Sequence, residues 1–154
     1  MIIRPSDLEA DYTDIIDGAK DFISRMDYTD FLPKTEEGLI FAINRILSLP
    51  GVEVTVAEHD GRIVGGIGMF YGPHIWNPDI LSAEEIFLWA AKDAPKSAAF
   101  RLLRAVIKSI KERGGALATF KKLTSSPKGL ESVYLRINLR PAETSFMGFI
   151  YGDY

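Results

Sequence analysis

Along the first fifty residues the apolar positions recur at helical spacing. Leu8, Tyr12, Ile15, Ile16, Ala19, Phe22, Ile23 and Met26 form one stripe, and Leu39, Ile40, Ile43, Ile46 and Leu47 form a second. The first predicted helix follows a short strand, Ile2-Ile3-Arg4, closed by Pro5, and Ser6 with Glu9 three residues later reads as a capping box. After a predicted loop from Asp27 to Pro33, Thr35 caps the second helix and Pro50-Gly51 ends it. The period then changes to two. Val52, Val54 and Val56 alternate with Glu53 and Thr55, Asp60-Gly61 supplies a turn, and Ile63 to Tyr71 returns as the second arm of a hairpin. Gly65, Gly66 and Gly68 in that arm predict a bulge or a close approach of another group.

The remaining pattern predicts a loop from Gly72 to Ser82, a buried strand from Glu84 to Ala91 and a polar turn from Lys92 to Lys96. A helix from Ser97 to Arg113 follows, with its stripe at Ala99, Leu102, Leu103, Val106, Ile107 and Ile110 and its stop at Gly114-Gly115. Ala116 to Phe120 reads as a strand, Pro127 opens a helix that runs through Tyr134 to Ile137, and Ser145 to Tyr151 reads as a closing strand. The order β-α-α-β-β-β-α-β-α-β, with a central antiparallel hairpin and a strand–helix–strand unit, predicts a mixed, mostly antiparallel sheet with helices on both faces.

Composition narrows the chemistry. The 154 residues, read as a single domain over 1–154, are 47% apolar and 25% charged, which excludes a disordered chain. The absence of cysteine excludes a disulfide scaffold, a thiolate metal site and a cysteine nucleophile, and with only His59 and His74 available no metal centre is expected. No apolar run approaches a membrane span and no signal peptide is read, so a cytoplasmic location is expected. Charge is divided unevenly: residues 1–91 hold 6 Lys/Arg against 16 Asp/Glu, and residues 92–154 hold 12 against 5. Such asymmetry points to one face that meets an anion, either nucleic acid or a phosphorylated cofactor. Residues 92–122 hold nine basic and two acidic residues. No aromatic interleaving or binding motif accompanies them, so nucleic acid is not the expected partner.

Several strings carry a family resemblance. The run Glu84-Glu85-Ile-Phe-Leu-Trp89-Ala-Ala91, a basic turn and Arg101-Leu-Leu-Arg104-Ala105 follow in order, and Tyr134-Leu-Arg-Ile-Asn138-Leu139-Arg140-Pro141 matches the pattern Tyr-x-x-x-Gly-Phe-x-Pro. Together with the element order, these make the chain resemble the GNAT superfamily of N-acetyltransferases, in the branch common in phages and prophages. The resemblance implies acetyl transfer from acetyl-CoA to an amine, by direct attack in a ternary complex. Of the adjacent carboxylates, strand alternation sends only one into the cleft, and Glu85, sharing a face with Phe87 and Trp89 in a regular strand, is the expected base. The family places a bulge hereabouts, which leaves Glu84 as the alternative. Family position makes Tyr134 the acid that protonates the thiolate, and places the oxyanion donor among the main-chain N–H groups of Leu88, Trp89 and Ala90.

The cofactor loop departs from the family's Gln/Arg-x-x-Gly-x-Gly/Ala, which cradles a pyrophosphate at a helix N-terminus. The matching residues are Ala94-Pro95-Lys96-Ser97-Ala98-Ala99, of which only Ala99 conforms. Ser97 can cap the helix, and Lys92, Lys96, Arg101 and Arg104 offset lost backbone donors with charge. Pro127 and Leu130 stand where the family has Asn and Ala before its tyrosine, with Thr124, Ser125 or Ser126 able to supply the polar contact. The acceptor mouth is expected between the loops carrying Tyr28 and Phe31 on one side and His74 and Trp76 on the other, with His74 a second candidate base. The partner is expected to be a small-molecule or peptide amine, with a homodimer left open. The altered loop sustains an alternative, a GNAT-shaped binding or virion-associated protein without catalysis.

Overall fold

The protein is described from a computed structural model over residues 1–26 and 31–143. In chain order these hold β1 (Ile2–Pro5), α1 (Tyr12–Ser24), α2 (Glu36–Leu47), β2 (Val52–His59), β3 (Arg62–His74), β4 (Asn77–Ala90), α3 (Ala98–Glu112), β5 (Leu117–Thr119) and α4 (Leu130–Arg136). The strands form one sheet in the order β1-β2-β3-β4-β5, antiparallel except for the parallel β4–β5 pair. Ile15 of α1 packs with Val54, Val56, Phe87 and Trp89, and Ile16, Ala19 and Ile43 join α1 to α2. Across the sheet, Leu102, Leu103, Val106 and Ile110 of α3 and Tyr134 of α4 meet Val64, Ile67 and Met69. The predicted mixed α/β layering, with helices on both faces, is therefore what forms. The predicted closing strand, Ser145–Tyr151, lies outside the described residues.

Four local expectations are corrected. Helix α1 begins at Tyr12 and Asp11 precedes it, so Ser6 and Glu9 make no capping box. Asp11 is 5% exposed and charged, and burial there demands a partner. Arg4 donates to both its oxygens at 2.7 and 2.9 Å, and the Asp7 N–H adds a third bond at 2.9 Å. The Arg4 guanidinium holds the Asp11 carboxyl below its usual range. The segment 72–82 is not a loop: β3 and β4 continue as a long hairpin that turns at Ile75-Trp76. Finally, α4 starts at Leu130, three residues beyond Pro127, and β5 is trimmed to three residues.

The glycines of β3 do mark close approach. A Cβ at Gly66 would lie 2.8 Å from Trp89 Nε1, and one at Gly68 would lie 2.5 Å from the Phe87 ring. On the opposing helix, a Cβ at Gly18 would fall 2.0 Å from the Trp89 ring. Trp89 is thus seated between a helix and a strand that both lack side chains where it lies.

A candidate active site between β4 and β5

β4 and β5 pair only from Ser82↔Leu117 to Glu84↔Thr119, and no described pair continues beyond. Just past that point the β3–β4 register shifts: Gly68 pairs with Phe87 and Met69 with Glu85, which leaves Ile86 as the extra residue of a β-bulge. The bulge breaks the alternation on which the sequence reading relied. Phe87 and Trp89 pack beneath α1, whereas Glu85 turns to the other face and meets Tyr134. Glu85 is the inward carboxylate at 3% exposure and Glu84 faces solvent, but Glu85 does not share a face with Phe87 and Trp89.

Tyr134 reaches this point because α4 is pinned at its C-terminal end. Asn138 adopts φ +64°, its N–H bonds to Leu135 O at 3.1 Å, and the Leu139 N–H returns to Tyr134 O at 3.1 Å. This is the paired closure of a Schellman motif, with asparagine in the place glycine usually takes. Phe120 packs on the Tyr134 ring at a centroid distance of 6.0 Å. The phenol donates to the Lys121 carbonyl at 2.9 Å and lies 3.3 Å from Glu85 Oε2. Burial pushes the Glu85 carboxyl up to about 7, against the opposing pull of the Tyr134 hydrogen bond and the Lys121 charge. Burial first, and then the neighbouring Glu85 charge, pushes the Tyr134 phenol well above its usual range.

Glu85 opens onto a cleft of about 150 Å³. Phe22 and Met26 at the end of α1, Ile86 and Leu88 of β4, and Leu123 and Leu130 on the far side supply its apolar walls, and Lys121 and Ser126 join Glu85 as its polar groups. Because the Ala91 N–H bonds back to Val64 O on β3, strand alternation turns the N–H groups of Leu88 and Ala90 the other way, into the gap that β5 leaves. Ala90 and Leu88 are both partly exposed.

The turn before α3 is built from successive short bonds, Ala94 N–H to Ala91 O at 3.0 Å and Ala98 N–H to Pro95 O at 2.8 Å. Ser97 has helical backbone angles and its side chain makes no cap bond, contrary to the expected capping role, so among the described residues its hydroxyl is not committed to the helix end. Lys92, Lys96, Ser97 and Arg101 are exposed around this end, Ala99 is partly covered, and Ala98 is packed into the core at 1% exposure. First-turn N–H groups have no acceptor within their own helix. Backbone donors, the Ser97 hydroxyl and cations that make no ion pair among the described residues therefore converge at the α3 N-terminus, a donor set that suits a pyrophosphate despite the missing glycine.

Other predicted site residues stand apart. Trp89 is committed to the α1 face, and its buried Nε1 makes no hydrogen bond among the described residues. His74 and Trp76 sit at the hairpin tip, where Trp76 is 87% exposed. Nine steps along the chain, about 30 Å of strand, separate Trp76 from Glu85, and neither His74 nor Trp76 lines the cleft. Phe31 is half exposed ahead of α2, and Tyr28 lies outside the described residues. Lys121 and Ser126 do line the cleft, and of the two only Ser126 figures among the expected contacts. Lys121 is hidden in sequence within the long basic run, whereas Ser126 belongs to the polar trio already noted before α4. Among the described residues no group of three or more His, Asp or Glu is placed to hold a metal ion, and no helix is long and apolar enough to cross a membrane.

No protein-family model and no curated protein matches the sequence. Solved structures do. The chain is similar to a ribosomal-protein-alanine N-acetyltransferase from Brucella melitensis biovar Abortus 2308, at 16% identity and TM-score 0.73 over 98% of this chain and 100% of that one. A putative acetyltransferase from Agrobacterium tumefaciens matches at 14% identity and TM-score 0.73, over 97% and 99% of the two chains. An aminoglycoside acetyltransferase from an uncultured soil metagenomic sample matches at 17% identity and TM-score 0.67, over 99% and 96%. The chain thus has the mixed α/β fold of GNAT-type acetyltransferases, and identities this low define the fold alone.

Proposed function

We propose that this chain transfers the acetyl group of acetyl-CoA to an amine, with Glu85 as the base and Tyr134 as the acid. The observation that carries this reading is the buried contact between a carboxylate and a phenol at the place where β4 and β5 part. A carboxyl that titrates near 7 accepts a proton readily at neutral pH, directly or through water, and so frees the lone pair of an attacking nitrogen. Tyr134 stays protonated and can only donate, as a departing thiolate requires. Its proton now rests on the Lys121 carbonyl, and Glu85 beside it can restore a proton once that one is given up. The proton leaving nitrogen and the proton arriving at sulfur are thereby exchanged within one contact.

Acetyl-CoA would supply a thioester, an acyl group already activated toward nitrogen. Leu88 and Ala90 offer N–H donors for its acyl-bearing arm and for the developing oxyanion. Ser97, Lys92, Lys96 and Arg101 offer the donors and charge for its phosphates. Tyr134→Phe tests the assignment in a CoA-release assay. Turnover is expected to fall by about 10²-fold or more while KM for acetyl-CoA changes by less than about threefold. Unchanged turnover would remove Tyr134 from the reaction. Because the base must be ionised, kcat/KM is also expected to rise with pH through about 7 and to lose that rise in Glu85→Gln.

A further inference from the structure

The cleft holds opposite charges side by side. Lys121 lies close enough to Glu85 to lower its pKa, and among the described residues its ammonium makes no ion pair. The contrast with its neighbour is informative, since Lys122 is tied to Glu131. Ser126 adds a donor: its Oγ accepts the Leu123 N–H at 2.9 Å, which leaves the hydroxyl proton to give. A substrate bearing several ammonium groups would set them against Lys121 and apolar walls, with Glu85 as the one carboxylate that lines the cleft among the described residues.

We propose that the acceptor is a small amine bearing its own carboxylate, of the amino-acid class. Its nitrogen is presented toward Glu85, its carboxylate is held by Lys121 and Ser126, and its apolar side chain lies against Phe22, Met26 and Leu123. An ammonium carboxylate matches the two charges in number and sign, and a cleft of about 150 Å³, part of which the acyl group beside Leu88 would take, leaves room for a small molecule rather than an oligosaccharide. Lys121 is then a specificity-determining residue: its charge selects the acceptor, while its main-chain carbonyl holds Tyr134 whatever the side chain.

The inference rests on acetyl transfer as the activity, and its test separates the two. CoA release by the full chain is measured with L-methionine, L-methioninamide and kanamycin, for the wild type and for Lys121→Gln. L-methionine is expected to exceed L-methioninamide about tenfold in kcat/KM, through KM, and Lys121→Gln is expected to abolish that preference. Equal or better turnover of the amide or of kanamycin overturns the inference and leaves acetyl transfer standing. Thermal shift with L-methionine alone is the second readout. A shift absent with the amide and lost in Lys121→Gln supports the site even if no amine releases CoA, in which case acetyl transfer falls instead. No shift and no preference overturns the site. The Lys121 side chain is exposed, so the variant is expected to fold, as its ligand-free melting will show.

Discussion

Glu85→Gln isolates what it costs the protein to keep a carboxyl at 3% exposure. In the folded chain this group titrates near 7, against 4.5 for an ordinary glutamate, with burial as the main cause. The raised value means that the folded state binds the proton more tightly than the unfolded state does. Stability from this group is fully present below pH about 4.5 and is lost as pH rises through about 7. A difference of about 2.5 pH units corresponds to roughly 3 kcal/mol, as an upper figure for an incompletely desolvated site. Gln has the same shape and carries no charge at any pH. The variant is therefore expected to match the wild type near pH 4.5 and to exceed its stability by up to about 3 kcal/mol above pH 8. For a chain of this length that is on the order of 6–12 °C in Tm. Urea or thermal unfolding of both proteins at the two pH values measures it, and contributions from titrating groups that do not interact with Glu85 cancel in the difference. A gap that does not widen with pH, or a variant less stable at pH 8, would refute the reasoning.

Two further substitutions probe the supports of the site. Gly18→Ala would drive a methyl to within 2.0 Å of the Trp89 ring; since that ring is confined by Gly66 on its other side, a loss of about 1–3 kcal/mol is expected in urea unfolding. Asn138→Gly should leave stability within about 0.5 kcal/mol, because the left-handed φ of +64° suits glycine at least as well. Asn138→Val should cost about 1–2 kcal/mol and lower turnover by loosening Tyr134, and an equal effect of both substitutions would remove the cap from the account.

Periodicity made the layering legible. The stripes of the three long helices and the alternation of Val52 to Val56 reappear as the two sides of the core, because burial of a face is what imposes those periods. Features set by long-range partners were not legible. Ser6 and Glu9 have the spacing of a cap, but Arg4 recruits Asp11 and shifts the start of α1 to Tyr12. Gly72, Pro73 and Pro78 carry the composition of a loop, yet the hairpin continues through them because each arm finds its ladder on the other. The adjacent carboxylates at 84 and 85 were legible, whereas which of them is buried, and on which face, depends on a bulge at Ile86 that local pattern does not encode. Lys121 owes its place to a main-chain bond with Tyr134, thirteen positions away.

The separation of β4 from β5 has a consequence beyond reactivity. Amide donors exposed at the rim of a sheet invite another chain to zip onto them, and many proteins suppress such rims to escape aggregation. Here, among the described residues, β5 pairs with β4 no further than Glu84, so the N–H groups of Leu88 and Ala90 face a gap where a partner strand would otherwise run. Leu88 and Ala90 are both partly covered, which sets this stretch of β4 apart from a bare rim open to strand addition.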